Sequence, residues 1–282
     1  MSPLVPIAYP TTPTLVDTHC HLDLHPLVDQ LPAVLDRAGA AGVRRYVVPG
    51  VSAEAWPAIA GCAREYPAIL PAFGLHPMQA ASCSEQLLAH LTRFLPQAAA
   101  IGEIGLDYLL PDPDREQQRT AFCAQLRLAV AAGLPVLIHC RRAFNDLLTI
   151  LREERVGRVG GIMHAFSGSV EVARDCIRLG LLISISGTVT YHNAVRPVAL
   201  VRALPLESLV LETDAPDMTP EPWRGQDNEP AFIVEIARAV ATIKEVDMAT
   251  VAAVTTRNAL RLIGRHGNTS NKHPGGAHVP SP

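Results

Sequence analysis

Residues 134–140 read LPVLIHC, a run that is apolar until His139 interrupts it near its C-terminal end. A strand with one wet face alternates apolar and polar residues, whereas a parallel strand buried on both faces reads as a continuous apolar run. Just before it, residues Arg115 to Ala132 carry apolar side chains at helical spacing. Working outward, seven more runs of the same kind appear: TLVDTHC (14–20), RRYVVPG (44–50), AILPAFG (68–74), AAIGEIG (99–105), GGIMHAFS (160–167), LLISISG (181–187) and LVLETDA (209–215). Helical spacing fills the intervals, for example over Leu27 to Ala41, Ala53 to Glu65, Glu85 to Leu95 and Val170 to Leu179. Two further helices, near Pro230 to Lys244 and Met248 to Ile263, follow the last run. Eight strands alternating with helices predict an α/β fold, a (β/α)8 TIM-type barrel forming a single domain.

Composition sets the outer bounds. The chain has 282 residues, 48% hydrophobic and 18% charged, enough to bury one large core. Its formal net charge of -3 excludes the strongly basic footprint of a protein that wraps duplex DNA. A grip on an end or a short single strand stays open. The opening MSPLVPIAYPTTPT has no basic segment and is broken by prolines, and no window is apolar for long enough to span a membrane. A cytoplasmic protein is expected. The six cysteines show no CxxC spacing and read as small, mostly buried hydrophobes in a reducing compartment. Residues 1–13 and 265–282 lack periodicity, so a mobile N-terminal segment and a disordered tail are expected around a domain at 14–264, with His266, His273 and His278 solvated.

The polar residues that break the apolar runs carry the chemistry. In VDTHCHLD (16–23), His19 and His21 are two apart and project to the same side of a strand. The fourth run contributes Glu103, the fifth His139, the sixth His164 and the eighth Asp214. Each alone has an ordinary structural role open to it: His139 as a packed or capping histidine, Asp214 as a turn residue or helix cap. Together they come from five strands and, in a barrel, converge on the face at the strand C-termini. Glu103, inside an apolar run, must be neutralised, paired or metal-bound, because an unpaired buried charge costs several kcal/mol. Four histidines and two carboxylates exceed one structural zinc site and suit two metals bridged by a carboxylate. Such a pair activates water, polarises a carbonyl or phosphoryl oxygen and stabilises the leaving oxygen, so hydrolysis is the expected reaction class. Asp214 is a candidate both for metal binding and for accepting the proton of the attacking water.

With DTHCHLD, GLHP, GEIGLDY, PVLIHCR, HAFSG and LETDAP occurring in that order, residues 15–263 resemble the TatD family of metal-dependent hydrolases, within the amidohydrolase-like barrels. The resemblance implies two divalent ions, magnesium or manganese by family habit, while four imidazoles favour manganese or zinc. It implies that His19 and His21 hold one ion with Asp214, that His139 and His164 hold the other, and that Glu103 bridges them. It implies a deoxyribonuclease working 3′ to 5′ on single-stranded DNA ends. Because relatives include proposed D-aminoacyl-tRNA deacylases, ester or amide hydrolysis at the same centre is the alternative, and a non-catalytic metal-dependent nucleotide-binding protein is a second. His76, in GLHP, matches a family position expected near the substrate phosphate, with a hydrogen bond orienting a metal ligand as its other reading. Arg141 and Arg142 are candidate phosphate contacts or solvated ion pairs, and Trp223, in the proline-rich loop 214–230, either stacks on a base or anchors its loop. No obligate protein partner is evident, and monomer and dimer are equally compatible with the sequence.

Overall fold

The computed structural model describes residues 14–264. The terminal segments expected to be mobile, with His266, His273 and His278, lie outside the described residues. Eight strands, β1 (Leu15–Asp17), β2 (Val43–Pro49), β3 (Ile69–Phe73), β4 (Ala100–Asp107), β5 (Val136–Arg141), β6 (Gly161–Met163), β7 (Leu181–Ile185) and β8 (Leu209–Leu211), pair in sequence order, every pair parallel. Just beyond the strand ends the seam between β1 and β8 is closed by backbone hydrogen bonds from Thr18 N to Leu211 O (3.0 Å), Asp214 N to His19 O (2.8 Å) and His21 N to Ala215 O (2.8 Å). The result is the (β/α)8 barrel that the alternation predicts.

The helices between the strands are α1 (Leu31–Ala40), α2 (Trp56–Glu65), α3 (Glu85–Thr92), α4 (Arg115–Ala132), α5 (Phe144–Glu153), α6 (Val170–Arg178) and α7 (Val195–Ala203). After β8 come α8 (Ile233–Lys244) and α9 (Met248–Ile263). Local sequence explains their limits. Asp114 and Gln117 form a reciprocal capping box at the start of α4, and Gly133 ends that helix in the left-handed conformation. Among the described residues no helix is long and apolar enough to cross a membrane. The six cysteines are all free.

Two apolar assemblies follow from strand alternation. One inward layer takes Val16, Val47, Ala72, Ala100, Leu137, Ile162, Leu182 and Val210, one from each strand, and Ala259 and Ile263 of α9 pack against it. The opposite-facing residues, such as Ile69, Ile138, Met163 and Leu209, pack under the helices in the larger core. Burial on both faces is why the strand runs carry so little polar alternation. Two residues beyond the inward layer lie His139 on β5, His164 after β6 and Glu212 after β8. The period of two therefore carries the inward rows from an apolar plug into a polar mouth.

Three strands are shorter than the apolar runs suggest, since β1, β6 and β8 each have three residues. His19, His21, His164 and Asp214 accordingly lie in the loops that leave these strands, and His76 lies in the loop after β3. The chain nevertheless stays threaded between its neighbours, as the bonds of residues 18–21 to β8 and from Cys20 N to Val47 O (3.1 Å) show. Asp214 itself has φ of 58°, a left-handed turn that swings its carboxylate back over the barrel axis.

Candidate metal centre

Glu103 lies at the middle of the mouth and is 3% exposed. Its Oε2 is 3.3 Å from His19 Nε2, and its Oε1 is 2.9 Å from His139 Nδ1 and 3.8 Å from both His76 Nε2 and His164 Nε2. Asp214 faces it across the mouth, with Oδ1 at 3.6 Å from His164 Nε2, 3.7 Å from His21 Nε2 and 3.8 Å from His19 Nε2. All six residues expected as ligands therefore meet here. Three sets of donor atoms lie within 4.8 Å of one another: His19, His21 and Asp214; His19, Glu103 and His164; and His76, Glu103 and His139.

The β4–β5 register accounts for the geometry around His139. Gly105 pairs with His139, which puts Glu103 and Asp107 on either side of the imidazole. Nδ1 meets Glu103 Oε1, and Nε2 lies 3.1 Å from Asp107 Oδ2. Gly105 has φ of 149°, and a Cβ there would run into the carbonyl oxygen of His139, so only glycine lets these strands approach so closely. Gln118 of α4 fixes Asp107 from behind, its Oε1 accepting from Asp107 N (2.8 Å) and its Nε2 donating to Asp107 O (2.9 Å).

A second carboxylate backs His164. Glu212 Oε1 is 3.1 Å from His164 Nδ1 and also accepts from Ala165 N at 2.6 Å. Asp17 braces the seam: it accepts from Thr213 N (3.0 Å), from the Thr213 hydroxyl (2.5 Å) and from His19 N (3.3 Å). Sequence reading did not single out Asp17, Asp107 or Glu212, although all three stand inside the quoted motifs. Their signal is a carboxylate in an apolar run a short step from a ligand.

Electrostatics separates the imidazoles. Burial pushes His19 down to about 4 and His76 likewise to about 4, so both rings are neutral. For His164 burial also opposes protonation, but the carboxylates of Glu212, Asp214 and Glu103 outweigh it and push the ring up to about 10. Glu103 is buried too, yet His19, His164 and the hydrogen bond from His139 hold its carboxyl well below the usual range. Burial raises Asp214 to about 6.

A backbone hydrogen bond sets the tautomer of His76. Met78 N donates to His76 Nδ1 (3.2 Å), so the neutral ring carries its proton on Nε2, the atom that faces Glu103. It offers the cleft a donor where a metal ligand needs a lone pair. The residues do fit a metal elsewhere. Both ring nitrogens of His19 and Nδ1 of His21 are buried without a hydrogen-bond partner, and such unsatisfied groups normally cost about 1–3 kcal/mol each unless something binds them. Imidazoles around carboxylates suit zinc, manganese or related divalent ions.

Above the donors opens a cleft of about 500 Å³, bordered by Leu24, Val51, Met78, Arg141, Asp217 and Met218. Arg141 reaches it with Nη1 3.7 Å from Asp107 Oδ2. Arg142 does not border this cleft and lines a groove with Tyr108, Arg115 and Asn145. Trp223 is also outside the cleft lining: its ring stacks on Phe232 with centroids 4.8 Å apart and planes 3° from parallel. The loop it sits on is further tied by Arg37 to Glu229 (2.6 Å) and by Asn228 Nδ2 to Thr213 O (2.8 Å) and Asp217 O (2.6 Å).

The sequence model of the TatD related DNase family matches residues 16–264, nearly all of what the structure describes. The chain belongs to the TatD family. Among its relatives is the uncharacterized metal-dependent hydrolase YabD of Bacillus subtilis, 40% identical over 250 residues, which are 88% of this chain and 98% of that protein. The crystal structure of YjjV, a TatD homolog from Escherichia coli K12, superposes with a TM-score of 0.84 at 35% identity, covering 89% of this chain and 98% of YjjV. A TatD family hydrolase from Entamoeba histolytica shares the fold at a TM-score of 0.81 and 20% identity, over 89% of this chain and 98% of that one. The TatD barrel and its polar mouth are thus those of a metal-dependent hydrolase.

Proposed function

We propose that this chain is a two-metal phosphodiesterase that shortens single-stranded DNA from the 3′ end. The observation that carries the reading is the shared carboxylate. Glu103 belongs to two sets of donors, one with His19 and His164 and the other with His139 and His76, a placement suited to bridging a pair of ions even with His76 left to the substrate. In this reading His19, His21 and Asp214 hold one ion, His139 and His164 the other, and Glu103 both. When bound, the ions supply Lewis acidity to the phosphoryl oxygen and acidify the attacking water.

The protein groups do the rest. Asp214 meets the imidazoles through Oδ1, which leaves Oδ2 to accept the proton of the attacking water; its burial makes it more basic than an ordinary aspartate. His76 donates its Nε2 proton to a non-bridging oxygen of the substrate and stabilises the charge that develops there. Arg141 adds a guanidinium at the rim for the adjoining phosphate. A chain end is the substrate form that the cleft of about 500 Å³ and the net charge of -3 support over a duplex.

The reading is tested by incubating chelator-stripped protein with manganese, magnesium or zinc and a 5′-labelled oligonucleotide. A metal-dependent ladder shortening from the 3′ end, absent from Glu103→Ala, is expected. An intact oligonucleotide at measured metal occupancy overturns it, and release of free D-amino acid from aminoacyl-tRNA would then redirect the same centre to ester hydrolysis.

A further inference from the structure

Beside the metal cleft, on the β6–β8 side, lies a second cleft of about 440 Å³. The two share Ala165, Ser167 and Met218 as a common wall, so they adjoin each other. Ala165 and Met218 both have left-handed backbones, with φ of 39° and 54°. Met218 is held in place from behind by Gly187, where a Cβ would run into the Met218 carbonyl oxygen.

The chemistry of the second cleft is that of a flat heterocycle on a charged tether. Phe166, Val195 and Pro197 give it apolar faces, and the hydroxyls of Ser186 and Thr188 stand 3.1 Å apart within it. The two hydroxyls hydrogen-bond each other, which leaves one hydroxyl hydrogen and the free lone pairs to serve the edge of any base without selecting one. Arg196 borders the cleft and donates from Nη1 to Ser167 O (3.3 Å), which places its guanidinium above the shared wall. Val195, at the start of α7, is 80% exposed and lines the cleft, so its side chain is open to a ligand held there.

We infer that this second cleft is a nucleoside subsite, holding the base and sugar next to the scissile phosphate while Arg196 contacts the phosphate that follows. The inference rests on the phosphodiesterase reading and adds to it where the substrate runs and why the base is not selected. A purely apolar ligand would leave the remaining guanidinium N–H groups and the one hydroxyl hydrogen not used within the pair without partners, which disfavours an acyl or alkyl occupant.

The test compares two substrates on the manganese-loaded full chain: the dinucleotide pTpT, which carries a base and sugar for the second cleft and one phosphate besides the scissile one, and bis(4-nitrophenyl) phosphate, whose rings lack the sugar, the hydrogen-bonding base edge and the second phosphate. Arg196→Ala and Val195→Glu are both surface changes. Each is expected to lower the ratio of kcat/KM for the dinucleotide over the small diester about tenfold, mainly through KM, the size expected when a charged hydrogen-bonding partner is lost or a repulsive charge is added. An unchanged ratio in both variants, or an equal loss on both substrates, overturns the subsite. If the parent chain hydrolyses the small diester and leaves the dinucleotide intact, the nuclease reading itself fails and the subsite with it.

Discussion

Glu212 Oε1 sits 3.1 Å from His164 Nδ1, and Glu212 has no solvent exposure at all. A fully buried carboxylate is costly, and this one is held ionised by the imidazole it touches. The pair points His164 Nε2 at Asp214 and Glu103, the direction in which it can bind an ion. Glu212→Gln keeps the shape and removes the charge, and an orienting carboxylate of this kind is typically worth 10- to 100-fold in metal affinity. Competition against a chromophoric chelator is expected to show a loss in that range, and unchanged affinity would show that the pair is only structural.

His76 gives a sharper contrast. Its Nδ1 is occupied by Met78 N, so it is expected to serve the substrate and leave the metals alone. His76→Ala should retain the parental metal stoichiometry by elemental analysis while kcat falls about 100-fold, the scale of a lost donor to a developing oxyanion. Loss of a metal equivalent would instead make His76 a ligand.

Metal removal should be visible as lost stability. A ligand at 100 times its Kd stabilises the native state by about 2.7 kcal/mol, which for a domain of this size raises Tm by roughly 5–10 °C. Chelator-treated protein is therefore expected to melt that much lower than protein with saturating manganese. Glu103→Ala should abolish most of the difference, and an unaltered gap in that variant would place the stabilising ion elsewhere.

The sequence discloses the barrel, the mouth and the loops unequally. The barrel was legible because parallel strands buried on both faces leave uninterrupted apolar runs, and the six residues that meet at the mouth were legible as a group because each breaks such a run near its end. The loops were not, because β1, β6 and β8 stop early and the mouth is built by chain that follows the strands. Asp107 and Glu212 were missed for a physical reason: they face imidazoles only once β4 is in register with β5 and β6 has curled toward β8. Trp223 shows the opposite limit. Both a base-stacking and an anchoring aromatic look alike in a proline-rich loop, and only the packed neighbour, Phe232, distinguishes them.

The seam between β1 and β8 offers the last prediction. Asp17 is completely buried and accepts three hydrogen bonds, two from Thr213 and one from the backbone of His19, so it joins the first and last strands just below two expected ligands, His19 and Asp214. Asp17→Ala strands two buried N–H groups and a hydroxyl, at about 1–3 kcal/mol each when no water can replace the partner. Partial relaxation makes a total of roughly 3–5 kcal/mol reasonable, or a fall in Tm of about 10 °C for the metal-free chain. Asp17→Asn keeps an acceptor and is expected to lie between the two. If the seam also sets the distance between His19 and Asp214, metal affinity must fall alongside stability in both variants and in the same order. A variant that melts early but binds manganese normally would show that the seam holds the barrel shut without aligning the ligands above it.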